Sequence, residues 1–224
     1  MSVTVAEASP PATAPARVGL VGGSFNPAHS GHLHISQLAL EVLGLDAVWW
    51  LVSPQNPLKS TEGMAPLDER LAAAQALAAP EPRVTVTDLE RGFDTRYTID
   101  TLAALRERHP ETRWVWIMGA DNLSKVHQWK DWPRIFELVP VAVFDRPSYS
   151  FQALQGVAAR RFQAQRKSRA QATMLADMTP PAWIFLWSAF DPASATALRQ
   201  GAPQGASTGS AKGANATDRR QSQT

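Results

Sequence analysis

Residues 17 to 52 read RVGLVGGSFNPAHSGHLHISQLALEVLGLDAVWWLV and hold a complete strand, turn, helix and second strand. The apolar run Val18 to Val21 is short, and it stops at Gly22 and Gly23, which can turn sharply and let a ligand approach the backbone. Pro27 stiffens the turn that follows. From Ser30 or Gly31 the pattern changes. Ile35, Leu38, Ala39, Val42 and Leu43 fall at i, i+3, i+4, i+7 and i+8, one face of a helix that Gly44 closes. Ala47 to Val52 then returns to a short apolar run.

The same alternation continues along the chain. Val84 to Val86, Trp114 to Met118, Val139 to Phe144 and Trp183 to Trp187 read as further strands. Leu67 to Ala78 reads as a helix behind Pro66, and Ile99, Leu102 and Ala103 repeat helical spacing after Thr98. Strand alternating with helix predicts an α/β fold. The expected architecture is a doubly wound, Rossmann-like parallel sheet of five to six strands, with helices on both faces, in a single domain. In such sheets ligands bind outside the carboxyl ends of the strands, where the strand order reverses. The turn at Gly22 falls at one such end.

Composition narrows the function. The 224 residues suffice for one α/β domain with a real core. A net charge of +2, with both signs in near balance, argues against a general nucleic-acid surface. Cysteine is absent, which removes disulfides, a thiol nucleophile and thiolate metal sites and suits a cytoplasmic setting. No apolar run approaches the roughly 18 residues of a spanning helix, so no membrane partner is expected. Residues 1 to 16 are rich in Ala and Pro and read as a disordered leader without signal-peptide character. Residues 201 to 224 read as a disordered low-complexity tail, which leaves 17 to 200 as the folded domain.

The turn carries the chemistry. His29 and His32 are three residues apart, so at a helix start they can reach one ligand. The free N–H groups of a first helical turn, with the positive end of the helix dipole, attract anions. Two imidazoles placed there suit phosphate. A zinc site built from His29, His32 and His34 is disfavoured, because no carboxylate sits at a metalloprotease spacing and the phase set by Ile35 turns His34 away. A tight turn with surface histidines would account for a single histidine better than for His29, Gly31 and His32 together.

GGSFNPAHSGH, residues 22 to 32, resembles the G-G-x-F-D-P-x-H-x-G-H signature of the nucleotidyltransferase superfamily. Six more stretches are similar to the bacterial nicotinate mononucleotide adenylyltransferases. They are SPQNPLK (53 to 59), RYTIDTL (96 to 102), WIMGADNL (116 to 123), HQWKDW (127 to 132), FDRP (144 to 147) and SATALR (194 to 199). The resemblance implies transfer of the adenylyl group of ATP to the 5′-phosphate of nicotinate mononucleotide by direct in-line displacement, giving deamido-NAD and pyrophosphate. It also implies Mg²⁺ held mainly by phosphates and water, with no protein metal ligand.

The same resemblance assigns the site. His29, His32, Lys59 and Arg199 form the catalytic set, with His32 as the donor to the α-phosphoryl oxygens. Gly22, Gly23, Ser24, Phe25, Gly119, Asp121, Ser194 and Thr196 bind ATP, and Asn56, Thr98, Trp129 and Arg146 bind the mononucleotide. Trp129 lies in a polar loop and can stack on the pyridine ring, whereas Trp49, Trp50, Trp114, Trp116, Trp132, Trp183 and Trp187 read as core. Asp121 can accept from ribose hydroxyls or cap the helix behind it. Arg146 is expected to face the mononucleotide phosphate. Asn26, Leu58 and Ala195 depart from the family pattern, which commonly has Asp, His and Ser at these places.

Two other functions compete. One is a sibling enzyme acting on another phosphate acceptor, against which RYTIDTL and WKDW argue; the other is a nucleotide-binding module without catalysis, against which His29, His32, Lys59 and Arg199 together argue. RRFQAQRKSR, residues 160 to 169, reads as a solvated helix face, since nucleic-acid binding would want interleaved aromatics and only Phe162 is present.

Overall fold

A computed structural model of the protein describes residues 16–54, 63–146 and 149–187. The strands are β1 (Arg17–Gly23), β2 (Ala47–Val52), β3 (Val84–Thr87), β4 (Arg113–Gly119), β5 (Val141–Phe144), β6 (Arg166–Lys167) and β7 (Trp183–Leu186). They form one sheet in the order β3-β2-β1-β4-β5-β7-β6, with every neighbouring pair parallel. The helices are α1 (Ser30–Val42), α2 (Leu67–Ala78), α3 (Leu89–Phe93), α4 (Thr98–Arg108), α5 (Ala120–Lys125), α6 (Trp132–Leu138), α7 (Ser150–Leu154) and α8 (Val157–Arg161).

Side chains alternate across the pleat, and both faces of the sheet are buried. Along β4, Trp114, Trp116 and Met118 join one core layer while Val115 and Ile117 join the other. The first layer is closed by Leu102 and Leu105 of α4, Leu123 of α5, and Ile135 and Phe136 of α6. The second is closed by Ala39 and Leu40 of α1 and by Ala74 and Ala78 of α2. Gly44, in the left-handed region at φ 62°, ends the first helical segment as the sequence predicts.

Among the described residues seven strands stand where five to six were expected. The additional one, β6, comes from the basic stretch that reads as a helix face. There α8 and a 3₁₀ turn (Gln163–Gln165) end early, and Arg166 and Lys167 pair with Trp183 and Ile184 at the sheet edge. Two residues carry no periodicity, and charged residues are what protects an exposed edge. β5 begins at Val141 rather than Val139, since Pro140 has no N–H to give; its carbonyl accepts from Trp116 N–H at 2.9 Å. Ala16, read as the end of the leader, is 5% exposed, and its carbonyl accepts from Arg113 N–H. The remainder of the leader and the whole tail lie outside the described residues.

The sheet order positions the site. From β1 the chain steps outward through β2 and β3 on one side, then crosses to β4 and β5 on the other. The order therefore reverses between β1 and β4, where an open α/β sheet leaves a crevice at its carboxyl edge. Gly22 and Gly23 end β1 there, and Gly119 ends β4 beside them.

Candidate active site

The turn after β1 is held by packing from beneath. A Cβ at Gly22 would lie 2.5 Å from Cη2 of Trp116, so only glycine lets that indole close against the strand end. Phe25 sits at φ 46°, a strained value for a bulky residue. Its ring is 2% exposed and stacks on Trp50 with centroids 5.2 Å apart, so burial holds the strained backbone in place. Phe25 thus serves the core with its side chain and can offer a nucleotide only its backbone. Asn26 Oδ1 accepts from Ala65 N–H at 3.1 Å, and Nδ2 donates to the Gly63 carbonyl at 3.2 Å. An ionised aspartate could make only the first of these bonds, which gives this departure from the family pattern a physical role.

His29 caps α1 and His32 lies in its first turn, with ring centroids 3.9 Å apart. The His29 backbone N–H donates to His32 Nδ1 at 3.2 Å, so the neutral His32 ring carries its proton on Nε2. Burial, then the charge of His29, with a smaller push from Arg146, lowers the His32 pKa from 6.5 to about 4 against a partly offsetting backbone contact from His29. The result is an uncharged N–H donor beside an exposed imidazole at a helix N-terminus. His34 is exposed and has no ring contact with the pair.

Across the crevice, Gly119 lets the Asp121 carboxylate fold back. A Cβ at Gly119 would meet Asp121 Oδ1 at 2.5 Å. Asp121 Oδ2 accepts from Arg146 Nη1 at 2.8 Å, while buried Oδ1 has no hydrogen-bond partner among the described residues. Asp121 is not the capping residue of α5, whose N-cap is Gly119. The positive charge of Arg146 helps to lower the His32 pKa, and its guanidinium pairs with the Asp121 carboxylate.

That cleft encloses about 190 Å³ beside the end of β1. Gly22, Gly23 and Ser24 form one wall with Ser53, and Arg96, Tyr97 and Thr98 form another at the start of α4. Thr98 is the first helical residue, so the cleft lies at the N-terminal, anion-favouring end of α4. Trp129 is half-buried and meets Trp116 edge-on with centroids 6.4 Å apart. Lys130 closes the rim, with Nζ 3.1 Å from Asp100 Oδ2 and 4.7 Å from the Tyr97 ring centroid. Glu90 lines the same cleft and is 8% exposed. Burial pushes its carboxyl up, against hydrogen bonds from Ser53 and Thr101.

The structure thus brings Gly22, Gly23, Ser24, Thr98 and Trp129 around one cleft, and places the His29–His32 pair and the Arg146–Asp121 ion pair in a neighbouring polar group. Asn56, Lys59, Ser194, Thr196 and Arg199 lie outside the described residues. Sequence reasoning missed Ser53, Glu90, Arg96, Tyr97, Trp116 and Lys130. All but Glu90 stand inside the quoted motifs, within three residues of one chosen there. Glu90 stands in none of them, and its signal is its place just after the third strand.

Residues 20–201 match the family model described as cytidylyltransferase-like. The chain is 50% identical over 184 residues to a Parvibaculum lavamentivorans protein named "Probable nicotinate-nucleotide adenylyltransferase", covering 82% of this chain and 91% of that one. It is 52% identical over 183 residues to a Methylorubrum extorquens protein of the same name, covering 82% and 98%. The fold is similar to that of the Plasmodium falciparum nicotinic acid mononucleotide adenylyltransferase complexed with NaAD, with a TM-score of 0.57 at 14% identity, over 77% of this chain and 75% of that one. With a glycine and histidine turn at the sheet reversal and half of its aligned residues shared with such relatives, the chain belongs to the cytidylyltransferase-like family and, within it, to the nicotinate-nucleotide adenylyltransferases.

Proposed function

We propose that this protein transfers the adenylyl group of ATP to the 5′-phosphate of nicotinate mononucleotide, giving deamido-NAD and pyrophosphate in NAD synthesis. The observation that carries this reading is the juxtaposition of two sites on one turn. Gly22 to Ser24 line a cleft fit for a flat ring and its carboxylate, and the same turn runs on into the imidazole pair that opens α1.

A 5′-phosphate oxygen attacks the α-phosphorus. The new P–O bond forms as the bond to the β-phosphate breaks, and the electron pair leaves with pyrophosphate. No protein nucleophile is required; alignment of two repelling anions and neutralisation of developing charge are. His32 Nε2–H donates to an α-phosphoryl oxygen, and a proton that the arriving anion draws to Nδ1 displaces the bond this atom accepts from the His29 N–H. The exposed His29 and the first-turn amides of α1 receive the outer phosphates. Arg146 adds positive charge beside them, and Asp121 Oδ1 accepts from a ribose hydroxyl. Thr98 and the α4 amides take the nicotinate carboxylate while Trp129 stacks on the pyridine ring. Lys59 and Arg199 are assigned to the phosphates by resemblance, as are Ser194 and Thr196, and Asn56 to the mononucleotide. The donors facing the triphosphate are imidazoles, amides and a guanidinium, a set that suits Mg²⁺ arriving on the phosphate oxygens of ATP with water as its other ligands.

Incubation with ATP, Mg²⁺ and a panel of acceptors tests the reading, with pyrophosphate and dinucleotide both measured. Nicotinate mononucleotide is expected to give the fastest release. Faster turnover with phosphopantetheine or glycerol phosphate would reassign the acceptor, and no pyrophosphate with any of them would make the protein a binding module.

A further inference from the structure

Arg70, in the first turn of α2, is 3% exposed, and among the described residues no ion pair includes it. Among the described residues the hydrogen-bond partners of its guanidinium are backbone carbonyls. Nε donates to Ala65 at 2.9 Å, Nη1 to Ser24 at 2.5 Å and Ser53 at 2.9 Å, and Nη2 to Pro54 at 3.0 Å. These acceptors come from three separate segments: the phosphate turn, the end of β2 and the approach to α2. Asn26 ties the same turn to Gly63 and Ala65.

Burying a cation without a counter-charge costs several kcal/mol unless hydrogen bonds replace its water. Packing alone would not call for it at this position; a planar five-donor fork that fixes several carbonyls at once does. A lysine would present a point charge and could not span the same acceptors. Ser24 and Ser53 both line one wall of the cleft, so Arg70 ties together the two segments that make up that wall.

We propose that Arg70, assisted by Asn26, is a positioning residue for adenylyl transfer: it holds the phosphate turn in register with the end of β2, so that the imidazole pair and the cleft meet their two ligands in line. Arg70 touches no substrate. Its effect rests on the reaction proposed above, because alignment limits that chemistry and a misplacement of about 1 Å costs roughly 10²-fold in rate.

The test compares wild type with Arg70→Lys and Asn26→Asp. It measures kcat, KM for each substrate, circular dichroism, and amide hydrogen exchange of the peptide from Gly22 to Ala28 without ligand. Arg70→Lys is expected to fold, to lose about 100-fold in kcat with both KM values near wild type, and to exchange faster in that peptide. Asn26→Asp, at an exposed site, is expected to show the same pattern more weakly. A folded Arg70→Lys with wild-type kcat, or one whose loss only follows its unfolded fraction while the peptide exchanges as in wild type, would overturn the proposal. If Arg70→Lys does not fold, unchanged kcat and exchange in Asn26→Asp would overturn it instead. Exchange is read without substrate, so a wild-type protein that releases no pyrophosphate refutes the reaction and leaves the exchange comparison to decide the staple.

Discussion

Protonation of His32 is the most direct probe of the imidazole pair. In the free protein its pKa is lowered from 6.5 to about 4, by burial first and then by His29, with Arg146 adding to both. That gap corresponds to about 3 kcal/mol against charging the ring. The ring is only partly buried, so solvent screening reduces this to roughly 2 kcal/mol. A bound polyphosphate acts in the opposite sense, since an opposite charge within about 4–6 Å favours the charged form by some 1–3 pH units. Histidine Cε1 signals followed by NMR therefore separate two states. Without ligand, the His32 signal stays flat from pH 8 to about 5; with saturating tripolyphosphate, its titration moves upward, and affinity tightens as pH falls between the two pKa values. His29→Gln raises the His32 pKa in the free protein yet leaves it below 6.5, because burial remains. The stability sign is fixed as well. The folded state binds fewer protons than the unfolded chain below pH 6.5, so this contribution is present above that value and is lost as pH falls through about 4. Titration near 6.5 in the free protein, unmoved by tripolyphosphate or by His29→Gln, would refute the argument.

Three further outcomes are expected. Gly22→Ala forces the Trp116 ring aside and costs about 1–3 kcal/mol, read as a melting temperature lower by roughly 2–4 °C per kcal/mol; an unchanged melt would mean that the indole yields freely. Trp129→Ala raises KM for nicotinate mononucleotide more than KM for ATP, and equal changes in both would remove it from the pyridine ring. Glu90→Gln gains stability over wild type as pH rises above the usual carboxyl range. The raised pKa of buried Glu90 means that its folded-state contribution is fully present below the unfolded pKa and lost as pH rises through the folded one. Parallel thermal melts of the two proteins from pH 4 to 8 check this, and a constant difference would contradict it.

The sheet was legible because its strands are buried on both faces and read as apolar runs bounded by glycine or polar turns. β1, β2, β4 and β7 follow that pattern. β6 was not, because two charged residues become a strand only by pairing with β7. In the site, His29, His32, Thr98 and Trp129 were legible from local motifs. Glu90, Trp116 and Arg70 were not, since their roles come from what the fold sets against them: the indole of Trp116 against Gly22, and the guanidinium of Arg70 against carbonyls up to 46 residues away. The pairing of Arg146 with Asp121 was not legible for the same reason, as the two lie 25 residues apart in the chain.

Phe25 links two properties that are often separable. Its backbone belongs to the reactive turn, while its ring belongs to the interior, leaning on Trp50, whose indole N–H in turn donates to Ser36 Oγ at 2.7 Å. A change that shifts the Phe25 backbone is therefore felt in that layer, and a change in the layer is felt at the turn. Adaptation to warmer or colder conditions has to act on the interior and the reaction together.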